Sequence, residues 1–287
     1  MTASSGRIAA AFVAACRDEL EAPKPGNVHL FADGHQMTAA EFVRSAEAAA
    51  GPLCAGGARV GRRILGAVEA TLGAVGTNTN LGIVLLCAPL AAAAEVESPD
   101  LRAALGRVLA ALDRDDASLA FQAIARASPA GLGRAARHDV FAPSTVTLKE
   151  AMAAAAERDR IARQYVTDFA DVFALGEPLL ETALRRWADA KWATLAAYLG
   201  FLSAFPDTHI VRKQGPTAAE EVRRTATTFH RRMQATDWGD DLIADILRWD
   251  AALKARAINP GTSADLTVAS LFARRLRNIL PSARNSG

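Results

Sequence analysis

The sequence predicts an all-α fold of roughly eleven helices, packed as one compact domain over residues 1–287. Apolar residues recur at helical spacing along the whole chain, whereas the strict alternation typical of β-strands is nearly absent. In three places a threonine is followed three residues later by a glutamate, a capping box that satisfies free amides at a helix start. These threonines are Thr38, Thr147 and Thr217, and each is expected to open a helix.

The other helices are predicted from Ala-rich segments with regularly spaced leucines. They lie at about residues 8–18, 58–74, 81–95, 100–113, 116–127, 178–203, 238–257 and 263–279. The helix that Thr147 opens is expected to include residues 157–165. Polar, glycine-containing segments fall at the junctions between helices. Junctions of this kind are where a helical protein assembles a binding site.

The composition disfavours several classes of protein. The chain has 33 lysine and arginine residues against 31 aspartates and glutamates, so no basic surface for nucleic acid is expected. Three scattered cysteines, Cys16, Cys54 and Cys87, do not form a disulfide or zinc pattern, which favours a reducing, cytoplasmic location. The long uncharged stretch 71–94 is interrupted by polar residues 77–80, so it predicts a buried core helix and no membrane span.

Residues 24–29 (Lys-Pro-Gly-Asn-Val-His) form the first segment that could carry chemistry. The proline and Gly26 predict a stiff turn, which could present the Lys24 ammonium and the His29 imidazole together. Taken alone, this pattern is typical of a surface turn.

Residues 76–82 (Gly-Thr-Asn-Thr-Asn-Leu-Gly) precede the long apolar helix. Their side chains and the free amides of the helix start could bind an anion, or they could simply cap the helix. Both interpretations stay open on these residues alone. Glu69, about two turns before this segment, could be a buried structural carboxylate or a magnesium ligand.

Two further junctions lie in the second half of the chain. Residues 207–215 place a carboxylate, an imidazole and two cations between Pro206 and Pro216, which favours a phosphate-facing loop that uses Arg212 and Lys213. Residues 259–266 form a turn that leads into the last predicted helix. Asp265 is expected in the first turn of that helix, where its charge suits the helix dipole.

In this order, the segments resemble the motifs of the triphosphoribosyl-dephospho-CoA synthase family, over about residues 12–275. The resembling stretches are its KPG motif (24–28), its glycine–glutamate and GxNT stretch (66–69 and 76–79), its DT stretch with the following arginine and glycine (207–215) and its PGxxADL end (260–266). The chain reads Asn80 and Leu81 where the citrate lyase type has a histidine and a lysine, and His209 where an asparagine is usual. It is more similar to the branch found in archaea and methylotrophic bacteria.

The resemblance implies an all-helical transferase that moves the triphosphoribosyl group of ATP to a hydroxyl of dephospho-CoA, or of a related cofactor precursor, and releases adenine. It implies Mg²⁺ as cofactor, nucleotide and precursor as binding partners, and a possible homo-oligomer. Breaking the glycosidic bond requires a carboxylate near the sugar, a base near the acceptor and cations on the phosphates.

The residues that match the motifs are expected to divide these roles among phosphate binding, metal binding and catalysis. Phosphate binding is expected from Lys24, Gly26, Asn78, Thr79, Asn80, Arg212 and Lys213. Glu69 and Asp207 are expected to hold Mg²⁺, and Asp265, His209 and Asp207 are the candidates for catalysis.

Three alternatives remain open at this stage, and the last of them is a helical scaffold whose polar junctions are only caps. The first is transfer from phosphoribosyl pyrophosphate to a pterin-type precursor in tetrahydromethanopterin-related biosynthesis, which the missing histidine and lysine beside Asn78 favour. The second is a nucleotide-binding protein without catalysis.

Overall fold

The computed structural model describes residues 3–35, 37–98, 100–127, 144–235 and 240–279. In these ranges the chain forms fourteen α-helices, one π-helical segment and no β-strand, which confirms the all-α prediction. The first seven helices are α1 (Ala3–Glu21), α2 (Ala39–Leu53), α3 (Val60–Val75), α4 (Leu81–Ala93), α5 (Leu101–Ala110), α6 (Arg114–Ala127) and α7 (Leu148–Ala155). The others are α8 (Arg160–Val166), α9 (Glu177–Trp187), α10 (Ala190–Ala204), α11 (Thr208–Gln214), α12 (Pro216–Ala235), α13 (Asp240–Ala255) and α14 (Gly261–Ile279), and the π-helical segment is Val172–Gly176.

The expected count of about eleven helices is too low, because aspartate caps interrupt or start helices where the sequence pattern looks continuous or loop-like. Asp159 caps α8, so residues 157–165 are not one helix with α7. The predicted helix 178–203 is two helices, since Ala188 is left-handed and Asp189 caps α10. The predicted loop 207–215 contains α11.

The three capping boxes have different outcomes. Thr147 accepts a hydrogen bond from the Glu150 amide at 3.2 Å, and the Glu150 carboxylate accepts one from the Thr147 amide at 2.8 Å, which confirms the first box in full. Helix α2 begins directly after Thr38, as predicted. Thr217 opens no helix, because α12 already begins at Pro216.

The chain divides into two compact units. The first contains Met1–Ala15, Glu41–Phe169 and Phe272–Gly287. In it, α3 packs against α6 and α4, and α4 also packs against α5 and α8. Almost every residue of α4 is buried, and the buried Tyr165 hydroxyl donates a hydrogen bond to the Leu85 carbonyl at 2.6 Å. The predicted core helix at 81–95 is thus confirmed.

The second unit contains Cys16–Ala40 and Ala170–Leu271. Helix α10 packs against α9, α12 and the π-helical segment, and α11 packs against α12. The buried Tyr198 of α10 donates a hydrogen bond to the Pro25 carbonyl at 2.7 Å, which ties the early turn to this helical core. The prediction that residues 1–287 form a single domain stays a prediction.

Two expectations from composition concern the membrane and the cysteines. In the part of the chain that the structure describes, no helix is long and apolar enough to cross a bilayer. Cys16, Cys54 and Cys87 are all buried, and none of them is in a disulfide within the described ranges. Burial raises the pKa of the Cys54 thiol to about 12.

The contact between α3 and α6 predicts opposite effects for two alanine substitutions in α3. A Cβ at Gly61 would lie 2.6 Å from the Asp116 Cα, whereas a Cβ at Gly73 meets nothing within 4 Å. We expect Gly61→Ala to lower the free energy of unfolding by about 1–3 kcal/mol. Gly73→Ala should raise it by up to about 1 kcal/mol through helix propensity. Urea unfolding of both variants measures the difference, and equal stabilities would contradict the close contact.

Candidate functional site

Lys24 is enclosed within the second unit. Its side chain is completely inaccessible to solvent, and its ammonium group donates to Glu19 at 2.7 Å, Asn27 at 3.0 Å and the Val28 carbonyl at 2.6 Å. These three acceptors use all three ammonium protons. Burial lowers the pKa of Lys24, and the ion pair with Glu19 opposes this shift. In this conformation Lys24 closes the turn, and a phosphate contact would require the buried ion pair to break.

Gly26 is the tightest point of the same turn. Its φ of +81° is in the left-handed region, and a Cβ would lie 2.9 Å from Pro260 Cδ and 3.0 Å from the Ile258 carbonyl, so only glycine fits without strain. The Gly26 amide donates to Asp250 at 2.8 Å, and the Gly26 carbonyl accepts from His35 Nε2 at 2.7 Å. Side chains on both sides therefore fix this backbone.

Asp250 of α13 is the centre of a buried polar cluster. Besides the Gly26 amide, its carboxylate binds His29 Nε2 at 3.2 Å and Lys254 Nζ at 3.0 Å. The Phe31 amide donates to His29 Nδ1, so a neutral His29 carries its proton on Nε2 and donates it to Asp250. Burial alone would raise the pKa of Asp250, but the hydrogen bonds it accepts outweigh burial and lower it.

Asp207 joins two helices in the second unit. One carboxylate oxygen accepts from the amides of His209 at 2.9 Å and Ile210 at 3.2 Å, at the start of α11. The other accepts from the amide and the hydroxyl of Ser263, both at 2.8 Å, in the first turn of α14. Burial raises the pKa of Asp207, and these four hydrogen bonds oppose the shift. The completely buried carboxylate thus acts as a cap and a crosslink.

Further contacts bring the same segments together. The hydroxyls of Thr208 and Thr262 are 3.0 Å apart, and Thr262 also accepts from the His209 amide at 3.1 Å. The Asn27 side chain donates to Asn259 at 2.8 Å. Three of the segments selected from the sequence, at residues 24–29, 207–215 and 259–266, therefore meet at one junction.

The imidazole of His209 lies at this junction beside cations. The ring passes close to the first residue of α14, since a Cβ at Gly261 would be 2.8 Å from His209 Nδ1. Burial, then the positive charges of Arg212, Lys213 and His35, lowers the pKa of His209 to about 4. Arg212 and Lys213 are exposed. A neutral imidazole beside exposed cations is suited to an anionic ligand that carries a proton donor.

Asp265 lies one turn later than predicted. Helix α14 begins at Gly261, so Asp265 is in its second turn, where it is partly buried. The prediction of a first-turn position is wrong because the helix begins two residues earlier than Ser263, which had been expected to mark its start.

In the first unit, Glu69 is on α3 and its side chain is 44% exposed, so it is not a buried structural carboxylate. It forms an ion pair with Arg126 of α6. No group of three or more histidine, cysteine, aspartate or glutamate side chains that could hold a metal ion is found within the described ranges. Metal binding by Glu69 stays a prediction.

The segment 76–80 forms the start of α4 in the first unit. The Asn78 side chain accepts from the amides of Asn80 at 3.3 Å and Leu81 at 3.0 Å, whereas the N-cap residue Asn80 makes no side-chain capping hydrogen bond. Thr79 donates to Ser45 at 2.7 Å. Asn80 is buried, yet among the described residues its side-chain nitrogen has no hydrogen-bond partner. A buried donor in this state is costly, and an anion at the helix start would satisfy it.

Sequence reasoning missed the side chains that hold the second unit's turns in place. They are Glu19, Asp250 and Lys254. The sequence signal for them is weak, because a lysine four residues after an aspartate on a helix is ordinarily a surface ion pair.

The helices and the junction describe an all-α protein in which a neutral imidazole lies beside exposed cations. A family model described as CitG, ATP:dephospho-CoA triphosphoribosyl transferase, matches residues 5–283. The chain therefore belongs to the CitG family, which confirms the resemblance, and it is a transferase that uses ATP.

One solved structure supports the fold. It is from Archaeoglobus fulgidus and is assigned as a triphosphoribosyl-dephospho-CoA synthase. It is 24% identical in sequence, with a TM-score of 0.63 over 82% of this chain and 96% of that chain. No curated protein gave a significant match.

The crosslink by Asp207 predicts a loss of stability in Asp207→Asn. An amide nitrogen cannot accept a hydrogen bond, so in either orientation it faces backbone donors that remain unsatisfied. We expect a loss of roughly 1–3 kcal/mol in the free energy of unfolding. Ser263→Ala, which removes only the hydroxyl contact, is the matched control and should cost less. Equal losses in urea unfolding would show that the backbone contacts do not matter.

The lowered pKa of His209 predicts a pH dependence of stability. Between its ordinary value of 6.5 and about 4, the unfolded chain binds a proton at His209 that the folded chain does not. Stability is therefore lost as the pH falls through this window, and this loss is absent above it. We expect His209→Gln to lose less stability than the native protein between about pH 7 and 4.5.

Urea unfolding at a series of pH values measures this loss. Arg212→Gln, which removes one neighbouring cation and keeps the imidazole, should behave between the native protein and His209→Gln. Parallel curves for the native protein and His209→Gln would contradict the shifted pKa.

Proposed function

We propose that the chain transfers the triphosphoribosyl group of ATP to a ribose hydroxyl of dephospho-CoA, with the junction of the second unit as the catalytic region. The acceptor oxygen forms a bond to C1′ of the ATP ribose, the bond from C1′ to adenine breaks, and the hydroxyl proton passes to a base. The single observation that carries this proposal is the neutral His209 beside Arg212 and Lys213, at the start of the two helices that Asp207 joins.

The base in this proposal is His209, with Asp265 as the other candidate. A base must be unprotonated and reachable at working pH, and the pKa of His209, lowered to about 4, meets the first requirement. The low pKa also makes it a weak base, but bound phosphates would offset the charges of Arg212 and Lys213 and raise its proton affinity. Asp207 is enclosed by four donors and is proposed as a positioning residue.

Phosphate binding is assigned to two places, one in each unit. In the second unit, the exposed Arg212 and Lys213 supply charge, and Arg212 can bind two oxygens at once. In the first unit, the start of α4 supplies the amides of Gly82 and Ile83, which have no acceptor within the helix. The buried side-chain nitrogen of Asn80 adds a donor at the same helix start.

Magnesium is proposed as the ion that accompanies the ATP phosphates. Mg²⁺ usually keeps several waters and binds one or two carboxylates together with substrate phosphates, so it does not need a cluster of three carboxylates. The exposed Glu69 fits this requirement, although the ion would have to displace Arg126. Asp207 does not fit, because all of its hydrogen-bonding capacity faces protein donors. When bound, the ion would neutralise phosphate charge.

One observation favours a second candidate function. The start of α4 carries Asn80 and Leu81 where the citrate lyase type has a histidine and a lysine, so it offers less positive charge than that type. A shorter phosphate chain would suit it, as in phosphoribosyl transfer from phosphoribosyl pyrophosphate to a pterin-type precursor. This reaction releases pyrophosphate and no adenine.

A chromatographic assay for free adenine tests the proposal. The native protein, incubated with Mg-ATP, should release adenine only when dephospho-CoA is present. His209→Gln should lower kcat by about 100-fold or more if His209 is the base. Asp265→Asn is measured in parallel. A loss of kcat of this size in that variant would identify Asp265 as the base instead.

Two results would count against the proposed function, and a third would count against the assignment of the base. Pyrophosphate release from phosphoribosyl pyrophosphate, without adenine release from ATP, would support the second candidate. Nucleotide binding with no product from either donor would support a binding protein. Full activity in both His209→Gln and Asp265→Asn would leave the reaction standing but remove the assignment of the base.

A further inference from the structure

A short turn in the second unit presents two large apolar side chains to solvent. The turn is closed by hydrogen bonds between His29 and Ala32, at 3.3 and 3.1 Å. Leu30 and Phe31, at its corners, are 58% and 57% exposed, the highest values for large apolar residues in the described ranges. Turn positions ordinarily carry polar residues or glycine, so two adjacent apolar side chains here are unusual.

Hydrogen bonds to the rest of the second unit hold this turn in place. The Leu30 amide donates to the Leu20 carbonyl at 2.9 Å, and the Ala32 carbonyl accepts from Lys254 at 3.0 Å. His29 is completely buried and bound to Asp250, and the Phe31 amide donates to its ring. Phe31 is therefore exposed on a turn whose backbone is held in place by these hydrogen bonds.

A cation and a second aromatic ring accompany Phe31. The Lys191 ammonium is 5.4 Å from the centre of the Phe31 ring and 5.9 Å from that of Trp192. Both distances are within the range of cation–π contacts. Among the described residues, no carboxylate forms an ion pair with Lys191, so its charge is available to an anionic group.

We propose that Phe31 and Trp192, together with Lys191, form a binding platform for an adenine nucleotide, on which the purine stacks and Lys191 contacts the adjoining phosphate. Every base has a flat apolar face that aromatic side chains can stack against, worth about 1–3 kcal/mol per base. The combination of the exposed Phe31 ring, the partly buried Trp192 ring and a cation without an ion pair matches a base that carries a phosphate. A second copy of the chain would instead have to bury the unpaired Lys191 charge, which is costly.

This inference rests on the proposed function for the identity of the nucleotide. ATP and dephospho-CoA both contain adenine and a 5′-phosphate, so the geometry suits either, and the experiment separates them. The platform is attached to the Gly26 turn through His29 and Asp250. It would hold the adenine of one substrate in a fixed relation to that turn.

Equilibrium binding to the full-length native protein and to Phe31→Ala tests the platform. The probes are ATP, dephospho-CoA, AMP and adenosine, with phosphopantetheine and inorganic triphosphate as fragments without a base. Phe31→Ala should weaken AMP binding about fivefold or more, together with that of the one substrate whose adenine occupies the platform. It should leave both fragments unaffected. Phe31→Trp should restore binding, and Lys191→Ala should weaken AMP more than adenosine.

Leu247→Ala is the matched control, because Leu247 is an exposed apolar residue on α13, outside the platform. It should bind every probe as the native protein does. Unchanged binding of ATP, dephospho-CoA and AMP in Phe31→Ala would overturn the proposal, as would equal weakening of the fragments. Dissociation of a native oligomer in Phe31→Ala, with unchanged nucleotide binding, would assign the turn to a subunit interface instead.

The two proposals fail separately. If the native protein binds AMP through Phe31 but releases no adenine from ATP, the platform stands and the proposed reaction does not. If adenine is released and Phe31→Ala has native Kd and KM values for both substrates, the reaction stands and the platform does not.

Discussion

The buried carboxylate of Asp207 is the constraint on which the second unit's junction depends. A carboxylate without solvent is costly unless donors surround it, and here four hydrogen bonds from α11 and α14 satisfy it. Because three of these donors are backbone amides, the carboxylate fixes the starts of both helices at once. The position of His209 follows directly, since its own amide is one of the donors. The aspartate that caps α11 therefore also determines where the His209 backbone lies.

The second unit buries several charged side chains that hold its backbone in place, and it leaves other cations exposed to solvent. Lys24 with Glu19, and Asp250 with His29 and Lys254, are buried polar clusters that hold the backbone around Gly26. Breaking such a cluster leaves an uncompensated charge, so these clusters resist rearrangement. The cations that reach solvent are different residues. The turn around Gly26 can therefore have a fixed geometry and still lie near cations that are exposed to solvent.

The sequence correctly predicted the fold class, most helices and the segments that form the junction. It did not predict which residues of the junction hold the backbone. Local signals predicted well: the capping box at Thr147 and the apolar run of α4 need only nearby residues. The contact of Asp250 with Gly26 joins residues 224 positions apart, and no local spacing indicates it. The segment that begins at Asp207 is a different case, because its local sequence predicts a loop and the structure has a helix there. The prolines on either side of this segment indicate a loop. Asp207 nevertheless starts a helix, because an aspartate is a strong helix cap.

Lys24 shows why the motifs identified the family correctly while their assumed roles did not follow from the pattern alone. The motif suggested a cation for phosphate, yet the structure uses the lysine to close a buried turn in which Gly26 must be glycine. A residue can be required in a motif because the backbone cannot adopt its shape without it. Residues that hold a turn and residues that touch a ligand can both be required there, and only burial and hydrogen bonding distinguish them. By that criterion Lys24 and Asp207 support the backbone of the junction, and His209, Arg212 and Lys213 are the residues proposed to contact the ligand.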